Sequence, residues 1–403
     1  YKGENLDIPE IASELKVDHI LEGSVRKAGN RVRITAQLID AASDRHLWSD
    51  TFDRELTDIF AIQDEIANAI VSALQKTLGV GLEAVEVQAV TENLDAYELY
   101  LRARSLFIAR QNLDESIQLF ERAIELDPDF AQAWEGLAAT HAVAVDWLAG
   151  DGIDHSALAL KAADRALELD SSLSMAYAVR GSELLYRKAE VGGGIEQMDR
   201  AIANDPKNAT ALLWRGIMLK DLGYFERSIE DFRNCLAIDQ AYWNCAQHMA
   251  DAYLAAGKTQ EAVTLFERTL EETFHSTSDS FVAHYVETGQ RVTALLLASA
   301  SVRRPYAPVR DWLDALENPE QDQSARVARW QAWAAKQNLD ICQLGAEVVA
   351  LQQYNCLADI NNARFIWSPA AKGYRSSTEF EAVARRLFLP YWREHGFPPQ
   401  CRP

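Results

Sequence analysis

The stretch FERAIELDPDFAQAWEGLAATH, residues 120–141, decides how the rest of the chain is read. It holds the end of one helix, a stop, and the start of the next. Phe120 and Ala123 close the first helix, and Asp127-Pro128 ends it, because proline cannot donate the next helical hydrogen bond. Trp134, Leu137, Ala138 and His141 then fall on one helical face, at i, i+3, i+4 and i+7. The same opening recurs as Tyr177, Arg180, Gly181, Leu184, as Leu212, Arg215, Gly216, Leu219, and as Ala246, Met249, Ala250, Tyr253. The endings recur too, as Met198, Ala201, Pro206, as Phe232, Cys235, Gln240, and as Phe266, Thr269, Phe274. Pro206, Gln240 and Phe274 lie 34 positions apart.

A period of this length with two helices per copy predicts stacked helical hairpins. The small residue of the first helix (Ala138, Gly181, Gly216, Ala250) lets its partner come close, and the large residue four positions earlier fills the gap to the neighbouring unit. One hairpin cannot bury its apolar face alone, so the copies must stack. These residues resemble tetratricopeptide repeats (TPR). The expected fold is mainly α: a TPR-type α-solenoid, a right-handed superhelix of helical hairpins. Five units are expected, at about 95–130, 131–173, 174–208, 209–242 and 243–276, the second with an insertion at residues 146–155. Residues 277–403 are expected to form a divergent helical continuation or cap, ending in one helix and a proline-rich tail. Trp312, Trp330, Trp333, Trp367 and Trp392 are expected to pack in its core.

The front of the chain has another period. Residues 8–16 predict a short helix with Pro9 in its first turn. Residues 18–27, 31–40 and 45–54 predict three antiparallel strands, with a turn at Gly29-Asn30. Along the second, Val32, Ile34, Ala36 and Leu38 face one way, and Arg31, Arg33, Thr35 and Gln37 the other. Trp48 and Phe52 share a face of the third. Ile59, Ile62, Ile66, Ile70 and Leu74 make the stripe of a helix that Gly79 ends. The wording ILEGSVRKAGNRVRITAQLIDA, then Leu47-Trp48, then DIFAIQDEI resembles the TolB amino-terminal-like (FlgO-like) domain over residues 1–80, with 81–94 as a linker. The resemblance implies a small α/β domain, truncated at its N-terminus. It also implies that the combination with TPRs is the C-terminal part of a bacterial class III adenylate cyclase or winged-helix regulator. The start at Tyr1, with no methionine, reads as a fragment.

Chemistry is sparse. A formal net charge of −20 argues against nucleic-acid binding, and no apolar run is long enough to span a bilayer. The eight histidines form no metal spacing. His141 takes the place of a packing aromatic, and Asp151, Asp154 and His155 read as a solvated loop rather than a metal site. Gly79–Gly81 and Gly192–Gly194 read as turns, not phosphate loops. Of the five cysteines, Cys235 and Cys245 read as buried packing residues ahead of a disulfide, while the pairing of Cys342, Cys356 and Cys401 stays open. No catalytic, cofactor-binding or metal residue is expected.

What remains is a binding surface on the first helix of each unit: Gln132, Glu135, Met175, Ser182, Thr210, Lys220, Asn244, Gln247 and Asp251. Their mixed polarity suits an extended peptide or a partner helix. With Lys220 alone basic, they do not make a carboxylate clamp. The expected function is a non-catalytic interaction and regulatory region of a bacterial signalling protein. Its partner is a protein or peptide, or a second copy. Neither direct nucleic-acid contact nor membrane insertion is expected. An envelope assembly scaffold and an enzyme with a site where the front domain meets the repeats are the rival readings. Cytoplasm and periplasm both stay open.

Overall fold

The computed structural model describes residues 7–15, 17–29, 31–55, 59–79, 90–148, 151–273, 278–300, 307–358 and 365–401. Several expectations fall outside them: Asn30 of the turn, Phe274 of the last repeat ending, Gly81, and linker residues 81–89. The side chain of Ile59 is outside them as well. The chain divides into two compact units, Tyr1–Leu94 and Asp95–Pro403.

The front unit opens with α1 (Ile8–Leu15). A three-stranded antiparallel sheet follows, of β1 (His19–Ala28), β2 (Arg31–Asp40) and β3 (Arg45–Glu55) in that order. The alternation along β2 has the expected faces: Val32, Ala36 and Leu38 are buried, and Arg31 and Arg33 are exposed. A register shift between Leu38 and Ile39 turns Ile39 inward as well, at 2 % exposure. On the outer face Arg31 and Arg33 both donate to Asp53, and Thr35 meets Thr51. Such cross-strand pairs fix register while contributing little energy at an exposed site. α2 (Ile59–Leu78) lays Ile62 and Ile66 over Val32 and Ile34, and Arg54 reaches across to Glu65. Gly79, at φ +66°, then leaves the helix.

The second unit is helical. Five hairpins follow one another: α3 (Leu94–Ala109) with α4 (Leu113–Leu126), α5 (Ala131–Trp147) with α6 (His155–Leu169), α7 (Ser174–Tyr186) with α8 (Val191–Asn204), α9 (Ala209–Asp221) with α10 (Phe225–Ile238), and α11 (Trp243–Ala255) with α12 (Thr259–Thr273). The logic of the repeat is visible in its close approaches. A Cβ added at Gly216 would lie 2.5 Å from the Phe232 ring, and one at Gly181 would lie 2.8 Å from the Gly194 carbonyl oxygen. Phe120, Phe232 and Phe266 recur at one position and are at most 1 % exposed. Burying such a ring contributes about 2 to 3 kcal/mol. Gly192–Gly194 correct the sequence reading: they form the first turn of α8, not a loop, because Gly194 lets α8 reach α7.

Beyond the repeats, α13 (Asp279–Glu287), α14 (Arg291–Ser299), α15 (Val309–Glu317) and α16 (Ser324–Lys336) continue the stack with shorter helices. Trp312, Trp330, Trp333 and Trp392 are buried, and Trp367 is partly so. The proline-rich segment is packed as far as it is described, through Cys401. A helix runs from Thr378 through a π turn at Ala384–Phe388 to His395, and the segment after it folds back onto the fourth hairpin.

The cysteines also differ from expectation. Cys235 of α10 and Cys245 of α11 are fully buried as expected, but they form a disulfide, with Cα atoms 6.4 Å apart. The sequence reading placed packing ahead of a disulfide for this pair, whereas the helix-to-helix turn sets the two side chains against each other. Cys342 pairs with Cys356, and Cys401 is a free thiol.

Candidate protein-binding surface

The nine expected surface residues lie on α5, α7, α9 and α11, the first helices of units two to five. Four of them, Glu135, Thr210, Lys220 and Asp251, have occupied side chains. Glu135 Oε1 accepts the backbone N–H groups of Met175 and Ala176, at 2.7 and 3.2 Å. These are orphan donors of the first turn of α7, whose own N-cap residue, Leu173, has no side-chain acceptor. A residue chosen as a ligand contact is therefore the cap of the next unit. Asp251 does a related task one step on. It accepts from Ser278 Oγ at 2.5 Å, and Ser278 in turn caps α13. Thr210 Oγ1 meets the Tyr242 hydroxyl at 3.2 Å.

Lys220 is buried, at 8 % exposure, with its ammonium 3.3 Å from Asp221. Tyr186 of α7 donates to the other oxygen of Asp221. A small cavity is lined on one side by Lys220, Asp251, Leu254 and Ser280 and on the other by Trp367, Ser368 and Pro369. Lys220 of unit four and Asp251 of unit five thus lie against the chain's own C-terminal segment. That segment grips the turn between α9 and α10. Trp367 Nε1 donates to the Asp221 carbonyl, Trp392 Nε1 to the Leu222 carbonyl, and Gln400 Nε2 to the Gly223 carbonyl, at 2.9, 3.0 and 2.8 Å. The Tyr224 hydroxyl donates back to the Gly396 carbonyl. Phe225 meets the Trp367 ring edge-on. Sequence reasoning missed this docking; its one trace was the tryptophan content near the C-terminus.

Gln132, Met175 and Ser182, on α5 and α7, remain partly accessible, as do Asn244 and Gln247 on α11. Among the described residues no group of three or more metal-ligating side chains is assembled, and no helix is long and apolar enough to cross a membrane.

Burial pushes the Glu135 carboxyl up to about 7, against the pull of its two N–H donors. Burial pushes Asp251 up to about 6, against the opposing pull of Lys220 and Ser278. The folded state therefore holds the Glu135 proton more tightly than the unfolded chain does. Its contribution to stability is full below the ordinary value of 4.5 and is lost as pH rises through about 7. Glu135→Gln retains an oxygen for the two N–H groups and removes the titration. Urea midpoints of the variant, taken across that window, are expected to fall less with rising pH than those of the parent.

Family models described as TPR repeat or tetratricopeptide repeat match residues 105–142, 209–242 and 246–276. The chain therefore carries TPRs, repeats that serve protein–protein interaction. A curated relative is "Putative adenylate cyclase 3" of Rhizobium meliloti (strain 1021), 41 % identical over 144 residues. The match takes in 35 % of this chain and 23 % of that protein, so the chain spans under a quarter of its relative. Among solved structures, the type IV pilus biogenesis factor PilW is 17 % identical, covering 54 % of this chain and 97 % of its own, at a TM-score of 0.40. TTC0263, a thermophilic TPR protein of Thermus thermophilus, is 19 % identical, covering 50 % and 99 %, at 0.39.

Proposed function

We propose that this chain is the interaction and regulatory region of a bacterial signalling protein, with no catalytic role of its own. It would bind a protein or peptide partner through the first helices of its TPR units. The observation that carries the reading is the run of five registered hairpins whose α5 and α7 retain accessible polar and apolar side chains. The similarity to a protein named as an adenylate cyclase favours a nucleotide cyclase over a winged-helix regulator as the linked output. In this reading the front unit is a TolB amino-terminal-like domain, and residues 277–403 close the solenoid as a cap.

The C-terminal segment over Lys220 and Asp251 leaves units two and three as the more open part of the partner surface. Gln132, Met175 and Ser182 are its anchors. Glu135 shapes it from within, as the cap of α7, rather than touching the ligand. The test is affinity capture with cross-linking, comparing the parent with Gln132→Lys plus Ser182→Lys. A specific partner whose recovery falls at least about tenfold, with the fold intact by circular dichroism, supports the reading; that loss corresponds to about 1.4 kcal/mol. Unchanged recovery sinks the groove. Cyclic nucleotide levels in cells carrying the same double substitution test the signalling half: a change supports a cyclase output, and none removes it.

A further inference from the structure

His141, which the sequence reading kept apart from the insertion at Asp151 and His155, joins both of them at the start of α6. His141 of α5 and His155 of α6 are each 4 % exposed, and their Nδ1 atoms lie 2.8 Å apart. Nε2 of His155 lies 2.9 Å from Asp151 Oδ2. Asp151 is fixed in turn by the backbone N–H of Ile153, and Asp154 caps α6 by accepting from the Ala157 N–H. One residue further along, Ser156 donates to Glu183 of α7. His155 is thus not in a solvated loop; it is the first helical residue of α6 and is buried against α5.

Two imidazole nitrogens at hydrogen-bond distance require one donor and one acceptor between them. The bond survives while one ring is neutral. It fails when both are imidazolium, because two donors then face each other beside two like charges. Asp151 offsets a charge on His155 from its far side. A charge on His141 is opposed both by burial and by the charge of His155. The remaining groups near this hairpin start are Asp154 at the cap of α6 and Glu183 on α7, with Arg187 and Lys188 acting on Glu183.

We propose that the Asp151–His155–His141 chain is a proton-operated latch that releases the start of α6, and with it the Ser156–Glu183 tie to α7, in mildly acidic solution. Burial, then the charge of His155, lowers His141 from the ordinary 6.5 to about 4. The folded hairpin therefore binds fewer protons than the opened one in this window. The latch is fully closed above 6.5 and loosens as pH falls towards about 4. Each pH unit makes local opening up to about tenfold easier.

The test is amide hydrogen exchange of the intact chain across that window, corrected for the intrinsic pH dependence of exchange. Peptides covering His155–Ala159 are expected to gain exchange by up to about tenfold per unit of falling pH, while peptides from α9 and α10 stay flat. In His141→Phe, which retains a packing ring, the gain should vanish. Asp151→Asn leaves the buried pair and removes the offsetting charge, so opening should move to higher pH. This second variant decides the matter if His141→Phe fails to fold. Opening at the same pH in the parent and Asp151→Asn, or exchange that rises together in α6, α9 and α10, would overturn the latch.

Discussion

Gly223→Val is expected to cost about 4 kcal/mol of stability and to undock the C-terminal segment. Gly223 has φ +89°, a region that costs a β-branched residue a few kcal/mol. A Cβ there would also lie 2.8 Å from Gln400 Nε2, 2.9 Å from the Trp367 ring and 3.3 Å from Pro398. Overpacking at such a contact adds roughly 1 to 3 kcal/mol. The strain acts where three side chains donate to consecutive carbonyls, so relief by local movement loses hydrogen bonds to Asp221, Leu222 and Gly223. Urea unfolding measures the loss, and limited proteolysis after residue 365 reports the release. Trp392→Ala, which removes one donor and a buried ring without touching the turn, should release the same segment. A Gly223→Val protein within about 1 kcal/mol of the parent, its C-terminal segment still protected, would refute the docking.

Asp231→Ala is the second large effect, expected at about 3 to 4 kcal/mol. Arg215 of α9 lays its guanidinium on Asp231 of α10 through Nε and Nη2, at 2.8 and 2.6 Å, and reaches Asp199 of α8 through Nη1 at 2.9 Å. The Asp231 side chain is 4 % exposed, and that of Asp199 is 53 % exposed. The two halves of the contact are therefore unequal. Removing the buried carboxylate strands a largely buried guanidinium, which costs several kcal/mol. Removing the outer one, in Asp199→Ala, should cost under about 1 kcal/mol. Denaturant midpoints of the two variants give the comparison, and equal losses would contradict the assignment. Because Arg215 holds three consecutive helices, its loss should also lower the cooperativity between units three and four.

The repeats were legible because their rule is local and periodic. Phe120, Phe232 and Phe266 at one position, and Gly181 and Gly216 at another, state which helix face meets which partner. β2 was legible for the same reason, since alternation shows its buried face. The candidate surface was legible only as a set of positions. Periodicity places Glu135, Thr210, Lys220 and Asp251 on first helices. It does not say that Glu135 serves the backbone of α7, or that Lys220 and Asp251 lie beneath Trp367. Those contacts join residues far apart in the chain, with no repeating interval to mark them.

The sequence by itself determined the helical repeats and the antiparallel sheet in front, because each follows from apolar spacing within a few dozen residues. Only the tertiary structure decided what the polar groups of the first helices do, which cysteines pair, and where the last segment docks. It also decided that the buried rings of His141 and His155 meet with their Nδ1 atoms 2.8 Å apart. Burial and long-range approach set those outcomes, for they fix the partner, the solvation and the charge state of a side chain whose identity alone leaves all three open.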